Sequence, residues 1–313
     1  MYAVRMRTLG GPLQLDEVDD PVPAAGEVVV ELAYASVNPL DIWVSRGAPG
    51  TAADHLPWVP GTEGTGHHDG QPVLLRGAGL GMLRHGTYQQ KIAVPLSALT
   101  ALPADADLAQ VAGIGVAGIT AYRSIHARAR VTAGDRVLML GASGGVSALV
   151  IQLAMAAGAS VWGQTTSPGK VDFIRSMGAD NVVVADAAGL GAAVAEFKPT
   201  VVVDPLGGPY TDAGVAVLEP RGRLVIYGTS VDEMGTINLR GLYRKGIELL
   251  GYSGLIDPPQ EQAGVLRELL DRMVSGSLTV PVEKVALADA AGVFARILDR
   301  TVTGKLVIDL TAV

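Results

Sequence analysis

Between Gly134 and Lys170 the chain reads GDRVLMLGASGGVSALVIQLAMAAGASVWGQTTSPGK. A short apolar run, a glycine-rich turn, a stretch of helical apolar spacing and a second apolar run follow one another within this segment. The run from Arg136 to Leu140 predicts a buried strand, and Gly141, Gly144 and Gly145 break it. From Val146 onward, Leu149, Val150, Leu153 and Ala157 recur at helical spacing, and Gly158 predicts the stop. Strand, tight turn, helix and strand in this order build a dinucleotide phosphate site, because the turn brings backbone amides up to a pyrophosphate and the first helical turn aims its free N–H groups at it. The candidate phosphate contacts are Ser143, Gly144, Gly145 and Val146. A strict G-x-G-x-x-G template laid on Ala142, Gly144 and Ser147 keeps only its middle glycine. Ser147 must then serve as the small packing residue, and Ala142 requires a turn without positive φ. A glycine turn in an ordinary α/β domain would share the local pattern, so context has to separate the two.

The second strand is predicted over Ser160–Gly163. A cofactor with a free ribose 2'-hydroxyl would be met by Asp or Glu at its end; here stand Gln164, Thr165, Thr166, Ser167 and Lys170. Hydroxyls and one cation suit a 2'-phosphate, which a carboxylate would repel, so the expected cofactor is NADPH rather than NADH. Lys170 has a second reading, as a solvated residue opening the next helix.

Five histidines, no cysteine and a formal net charge of -7 narrow the function classes for these 313 residues. Without cysteine there are no disulfides, thiol nucleophiles or thiolate zinc sites. An acidic balance with no basic run argues against nucleic acid and anionic membrane as partners. With 49% hydrophobic but only 4% aromatic residues, the cores must be built of Val, Leu, Ile and Ala, as in a parallel sheet covered on both faces. MYAVRMRTLGG carries no apolar signal core, and the most apolar stretch is interrupted by Gln152 and Gly158, so the expectation is a soluble, cytoplasmic chain.

Short alternating runs at Glu27–Ala35, Pro72–Leu75 and Lys91–Val94 predict antiparallel strands, with 46–70 between them as a long loop region. After Asp107 the texture changes. Helical spacing over Leu108–Ile125 is followed by apolar runs at Val137–Leu140, Val161–Gly163, Val182–Val184, Val201–Asp204, Leu224–Tyr227 and Glu248–Leu250, the alternation of a doubly wound parallel sheet. Gln262–Ser275 and Ala288–Asp299 predict helices, Val282–Ala286 and Lys305–Asp309 strands.

SVNPLDIWVSRG, VPGTEGTG, GTYQQKIAVP, VAGIGVAGITAYRSI, the glycine segment, VVVDPLGG, VLEPRGRLVIYG and TGKLVIDL occur in that order along nearly the whole chain. In this the sequence resembles zinc-independent members of the medium-chain dehydrogenase/reductase superfamily, in the quinone oxidoreductase and enoyl reductase branch. The resemblance implies a GroES-like, mostly antiparallel β catalytic domain over 1–106, a Rossmann domain over 107–240, and a return over 241–313 that completes the sheet and the catalytic domain. It also implies a homodimer. Zinc members hold their catalytic metal with Cys, His and Cys; the matching positions here are Asn38, Thr62 and Val116, which cannot replace those ligands, so no metal is expected. His67 and His68, beside Asp69 in a turn, read as surface groups.

Without a Lewis acid, the chemistry that suits the chain is hydride addition to an activated acceptor, a quinone or a conjugated enone. The resemblance places Asn38 beside the nicotinamide ribose and substrate; an Asx turn ahead of Pro39 is its other reading. The tyrosine that enoyl-thioester reductases carry after an RxG is absent from Arg46, Gly47, Ala48, Pro49, Gly50. Asp41, Tyr88, Tyr122, Tyr243 and Tyr252 remain as proton-donor candidates. Tyr227, Gly228 and Thr229 follow a predicted strand at the carboxyl end of the sheet and are assigned to the nicotinamide half, with Thr120 as a further cofactor contact. Lys305, in TGKLVIDL, matches a motif of that family; its other reading is a strand-opening lysine that serves solubility alone. An alternative to the reductase is a non-catalytic NADPH-binding protein on the same scaffold, with a methyltransferase as a more distant reading.

Overall fold

The computed structural model describes residues 1–48 and 56–312. Residues 49–55 of the predicted loop region 46–70 lie outside them. The chain forms two compact units, one of residues 1–116 and 280–313, the other of 117–279. The sequence suggests breaks at 106/107 and 240/241 instead. The later second break arises because residues 241–279 still serve the parallel sheet, whose last strand is Glu248–Gly251.

In the 117–279 unit six strands lie in the spatial order Asn181–Val184, Ser160–Thr165, Arg136–Met139, Val201–Asp204, Arg223–Ile226, Glu248–Gly251, all parallel. The order turns back at Arg136–Met139, where a doubly wound sheet opens its ligand crevice. Their Val and Leu runs are buried because helices cover the sheet, so Leu138, Leu140, Val202 and Leu224 share one core. The helix Gly145–Ala156 follows the glycine turn and ends as predicted. Gly158 adopts φ +85°, and the N–H of Ala159 reaches Ala154 O at 3.1 Å, a left-handed cap that only glycine enters freely.

The other unit holds a mixed sheet in the order Val282–Ala286, Lys305–Asp309, Glu27–Val37, Glu63–His68, Gln71–Arg76, Leu99–Ala101, with Lys91–Pro95 also pairing with Glu27–Val37. Only the pair Val282–Ala286 and Lys305–Asp309 is parallel. A two-stranded ribbon, Tyr2–Met6 with Leu13–Glu17, packs into the same core, which includes Val4, Val30, Tyr88 and Ile308.

Glu63–His68 corrects the sequence reading, which takes 46–70 as loop. Its sequence, EGTGHH, carries two glycines that look like turn punctuation. A Cβ on Gly64 would lie 2.7 Å from Tyr34 O, and one on Gly66 2.1 Å from Glu31 O, where the partner strand shifts register between Leu32 and Tyr34. The glycines admit the bulged backbone of a neighbouring strand and mark a central strand, not a loop.

Candidate functional site

The glycine turn is set by side chains on both sides of one residue. Gly141 takes φ +56°, and Ala142 avoids positive φ as expected. The Gly141 N–H donates to Gln164 Oε1 at 2.9 Å, Ser147 Oγ donates to Gly141 O at 3.0 Å, and the Ala142 N–H reaches Gln164 O at 2.8 Å. Gly144 is the N-cap of Gly145–Ala156 and has no side chain to satisfy the first-turn amides. Those amides therefore face outward at Gly145 and Val146, beside Ser143, and all four positions from Ser143 to Val146 are half-buried. The strand beneath comes close: a Cβ on Gly163 would stand 2.6 Å from Ile174 Cγ2 and 2.9 Å from Ala142 Cβ.

That strand continues two residues past its predicted end. Gln164, only 1% exposed, points into the unit and does not stand at the ribose rim. Its Nε2 donates to Ala185 O at 2.5 Å. Thr165 is also buried, its Oγ1 accepting the Ser167 N–H at 3.1 Å. At the rim stand exposed Thr166 and half-buried Ser167 and Lys170, and no carboxylate stands among these three positions. Thr120 lies half-buried in the helix Gly115–Tyr122.

At the next strand end, Tyr227 Oη lies 3.3 Å from Ser147 Oγ, and burial pushes its pKa above that of an ordinary phenol. Gly228 passes so close to Pro205 that a Cβ would sit 3.0 Å from its carbonyl oxygen; Thr229 follows, exposed. The Asp204 carboxylate fixes the facing turn by accepting the N–H groups of Leu206 (2.7 Å) and Gly207 (3.1 Å) and the hydroxyl of Thr211 (2.6 Å).

In the other unit the structure brings Asn38, Asp41 and Tyr88 together. Asn38 precedes the helix Pro39–Ser45. Its backbone N–H donates to Asp41 Oδ2 at 2.8 Å, and Tyr88 Oη donates to the same oxygen at 3.0 Å. Exposure is 2% for Asn38, 1% for Asp41 and 0% for Tyr88. Burial raises the Asp41 pKa to about 6 against the opposing pull of the Asn38 N–H, the Tyr88 and Thr62 hydroxyls and Lys305. Among the described residues Asp41 Oδ1 has no hydrogen-bond partner. Tyr88 is held well above an ordinary phenol, first by burial and then by Asp41.

The Asn38 side chain is spent on this interior. Its Nδ2 donates to Glu63 Oε1 at 3.0 Å and lies 3.4 Å from Thr62 Oγ1, while its Oδ1 accepts from Lys305 Nζ at 2.6 Å. Both amide hydrogens and the Oδ1 are therefore engaged within the protein. Lys305, for which the sequence leaves a family-motif match and a solubilising role open, is 5% exposed and also donates to Val37 O at 3.2 Å. Burial lowers its pKa, opposed by Glu63 at 3.9 Å and by Asp41. Glu63 closes the network by accepting the Val116 N–H at 2.6 Å. Lys305 and Glu63 are the residues that sequence reasoning misses. The available signal is a lysine opening the run KLVID, which is buried on both faces.

The remaining tyrosine candidates separate. Tyr122 donates its hydroxyl proton to Glu268 at 2.6 Å and Tyr252 donates to Asp257 at 2.9 Å, so both act as struts; Tyr243 is exposed on Leu239–Lys245. His68 Nδ1 lies 3.1 Å from Val29 O, and His67 is exposed. Among the described residues no group of three or more His, Cys, Asp or Glu could hold a metal. The positions that resemble the zinc ligands do converge, with Asn38 and Thr62 in contact and Val116 bonded to Glu63, but they offer an amide, a hydroxyl and an isopropyl group. This donor set does not fit zinc.

A six-stranded parallel sheet with a glycine turn at its switch point, in one chain with a mixed β unit, defines a dehydrogenase-type architecture. The family model described as zinc-binding dehydrogenase matches residues 145–271. Prostaglandin reductase-3 of Bos taurus is 28% identical over 216 residues, 66% of this chain and 56% of that protein, so the match spans little more than half of the relative's length. Among solved structures, the quinone oxidoreductase of Thermus thermophilus, described alone and with NADPH, superposes with a TM-score of 0.84 at 28% identity, covering 99% of this chain and 100% of that one. An NAD-dependent alcohol dehydrogenase superposes with a TM-score of 0.86 at 27% identity over 99% of both chains. Together these matches indicate the medium-chain dehydrogenase/reductase superfamily, in its quinone and enoyl reductase branch.

Proposed function

We propose that the protein is an NADPH-dependent oxidoreductase that passes hydride to a quinone or an α,β-unsaturated carbonyl compound without a metal. The coarser part, an oxidoreductase, is what the relatives' names have in common, and a nicotinamide cofactor stands in the names of the two solved structures. The choice of NADPH is supported by one observation: beyond Ser160–Thr165 the rim offers Thr166, Ser167 and Lys170 and no acid, beside a helix N-terminus with no side-chain cap. Ser143, Gly144, Gly145 and Val146 would take the pyrophosphate through their amides, and Thr166, Ser167 and Lys170 the 2'-phosphate. Tyr227, Gly228 and Thr229, at the carboxyl end of the neighbouring strand, would border the nicotinamide half. The bound cofactor supplies the hydride; every other demand falls on the chain. Asp41, with a pKa of about 6, is poised between its proton-holding and proton-free forms, so it can pass a proton through the Tyr88 hydroxyl bonded to it.

The metal-free part is supported by the poor fit of Asn38, Thr62 and Val116 to zinc and by Lys305, which supplies the local positive charge. A second reading, a non-catalytic NADPH-binding protein, draws support from the burial of Asn38, Asp41 and Tyr88. Following NADPH oxidation with benzoquinones, enones and enoyl thioesters separates the two. Turnover with the first two classes is expected; saturable NADPH binding with flat traces across the panel would leave the binding protein. A homodimer completes the proposal: Glu248–Gly251 is an edge strand, with Leu249 exposed on it and Leu239 and Tyr243 exposed in the preceding helix.

A further inference from the structure

We infer that Gln164 is a positioning residue of the nucleotide site, which fixes the glycine turn in its phosphate-receiving form before any ligand arrives. The inference rests on the nucleotide reading above and deepens it. Glycine enters positive φ about as readily as negative, so Gly141 does not by itself select the +56° it adopts. The selection has to come from what its peptide touches. On its N–H side this is the Gln164 carboxamide at 2.9 Å, and on its carbonyl side Ser147 Oγ at 3.0 Å.

Gln164 does more than satisfy one donor. Its backbone carbonyl receives the next amide of the turn, Ala142 N–H, at 2.8 Å. The same carboxamide donates to Ala185 O at 2.5 Å, while the Ala185 N–H bonds to Thr165 O at 3.0 Å. The turn and the end of Asn181–Val184 are therefore both referenced to one buried residue, 1% exposed. Leucine at this position would fill the space and release the N–H side of Gly141, leaving the turn held only by Ser147 Oγ and the Ala142 N–H. The amides of Ser143 to Val146 follow directly in the chain, so their aim would loosen with it. Order that precedes binding raises affinity because the ligand no longer has to impose it.

Wild-type protein, Gln164→Leu and Gln164→Glu are titrated with NADPH and, separately, with adenosine 2'-monophosphate, which carries the 2'-phosphate but no pyrophosphate. A positioning role predicts that Gln164→Leu weakens NADPH binding by roughly tenfold or more while adenosine 2'-monophosphate binds as to wild type. Gln164→Glu keeps the acceptor for Gly141 and loses the donor to Ala185, so it should bind NADPH with intermediate affinity; it carries the test should the leucine variant fail to fold. NADPH affinity unchanged in the variants, or the two ligands weakened in equal proportion, would overturn the inference and leave the function proposal standing. Wild-type protein that binds no NADPH would overturn the function proposal, and the inference with it.

Discussion

The glycine turn from Gly141 to Val146 and the network around Asn38 are both built from polar groups, and they spend them in opposite directions. At the turn, side chains from Gln164 and Ser147 satisfy the Gly141 peptide from behind, and the uncapped helix N-terminus is left facing out. Around Asn38 the amide, the Lys305 ammonium and the Glu63 carboxylate satisfy one another inside the unit. The first arrangement is organised for a partner that brings negative charge; the second already contains its own cation and anion. A buried charge that loses its partner costs several kcal/mol, whereas an outward-facing amide costs little when empty because water reaches it. Damage to the network should therefore appear as lost stability, and damage at the turn's rim as lost affinity.

Lys305→Met tests this most severely. It leaves Glu63 buried without its cation and Asn38 Oδ1 without its donor, so chemical denaturation should report a loss of about 3–5 kcal/mol. A loss below about 1 kcal/mol would mean that the network is not a closed set of charges.

Asp41 gives the next effect, read against pH. Its folded-state pKa of about 6 exceeds the ordinary 3.8, so between those values the folded chain holds more protons than the unfolded one. Stability from this group is highest below the lower value and falls as pH rises through the window, by about 3 kcal/mol. Denaturation curves for Asp41→Asn across that range should be correspondingly flatter than for wild type. Parallel wild-type and variant curves would place the proton elsewhere.

Lys170→Glu belongs to the rim and should act on affinity alone. The NADPH-over-NADH preference should fall by about tenfold or more, with the midpoint of denaturation unmoved. An unchanged preference would remove Lys170 from the 2'-phosphate site.

The parts of the fold that are legible in the sequence are those where one physical demand dominates. Val201–Asp204 lies at its predicted bounds, because a continuous β-branched run between turn residues has few other uses. Glu63–His68 is hidden, since a glycine placed for the close approach of a neighbouring strand looks the same as one placed for a turn. The phosphate turn can be read from its glycines and helix spacing. The roles of Gln164 and Lys305 cannot, because their partners lie far along the chain: Gly141 and Ala185 for one, Asn38 and Val37 for the other. Long-range pairing of buried polar groups leaves no local period.

The proposed metal-free transfer of hydride from NADPH is tested most directly by NADPH oxidation with a benzoquinone acceptor, before and after exhaustive dialysis against a chelator strong enough to strip zinc. An unchanged rate, with NADPH preferred over NADH, is the predicted result. A rate lost on dialysis and restored by added zinc would contradict it.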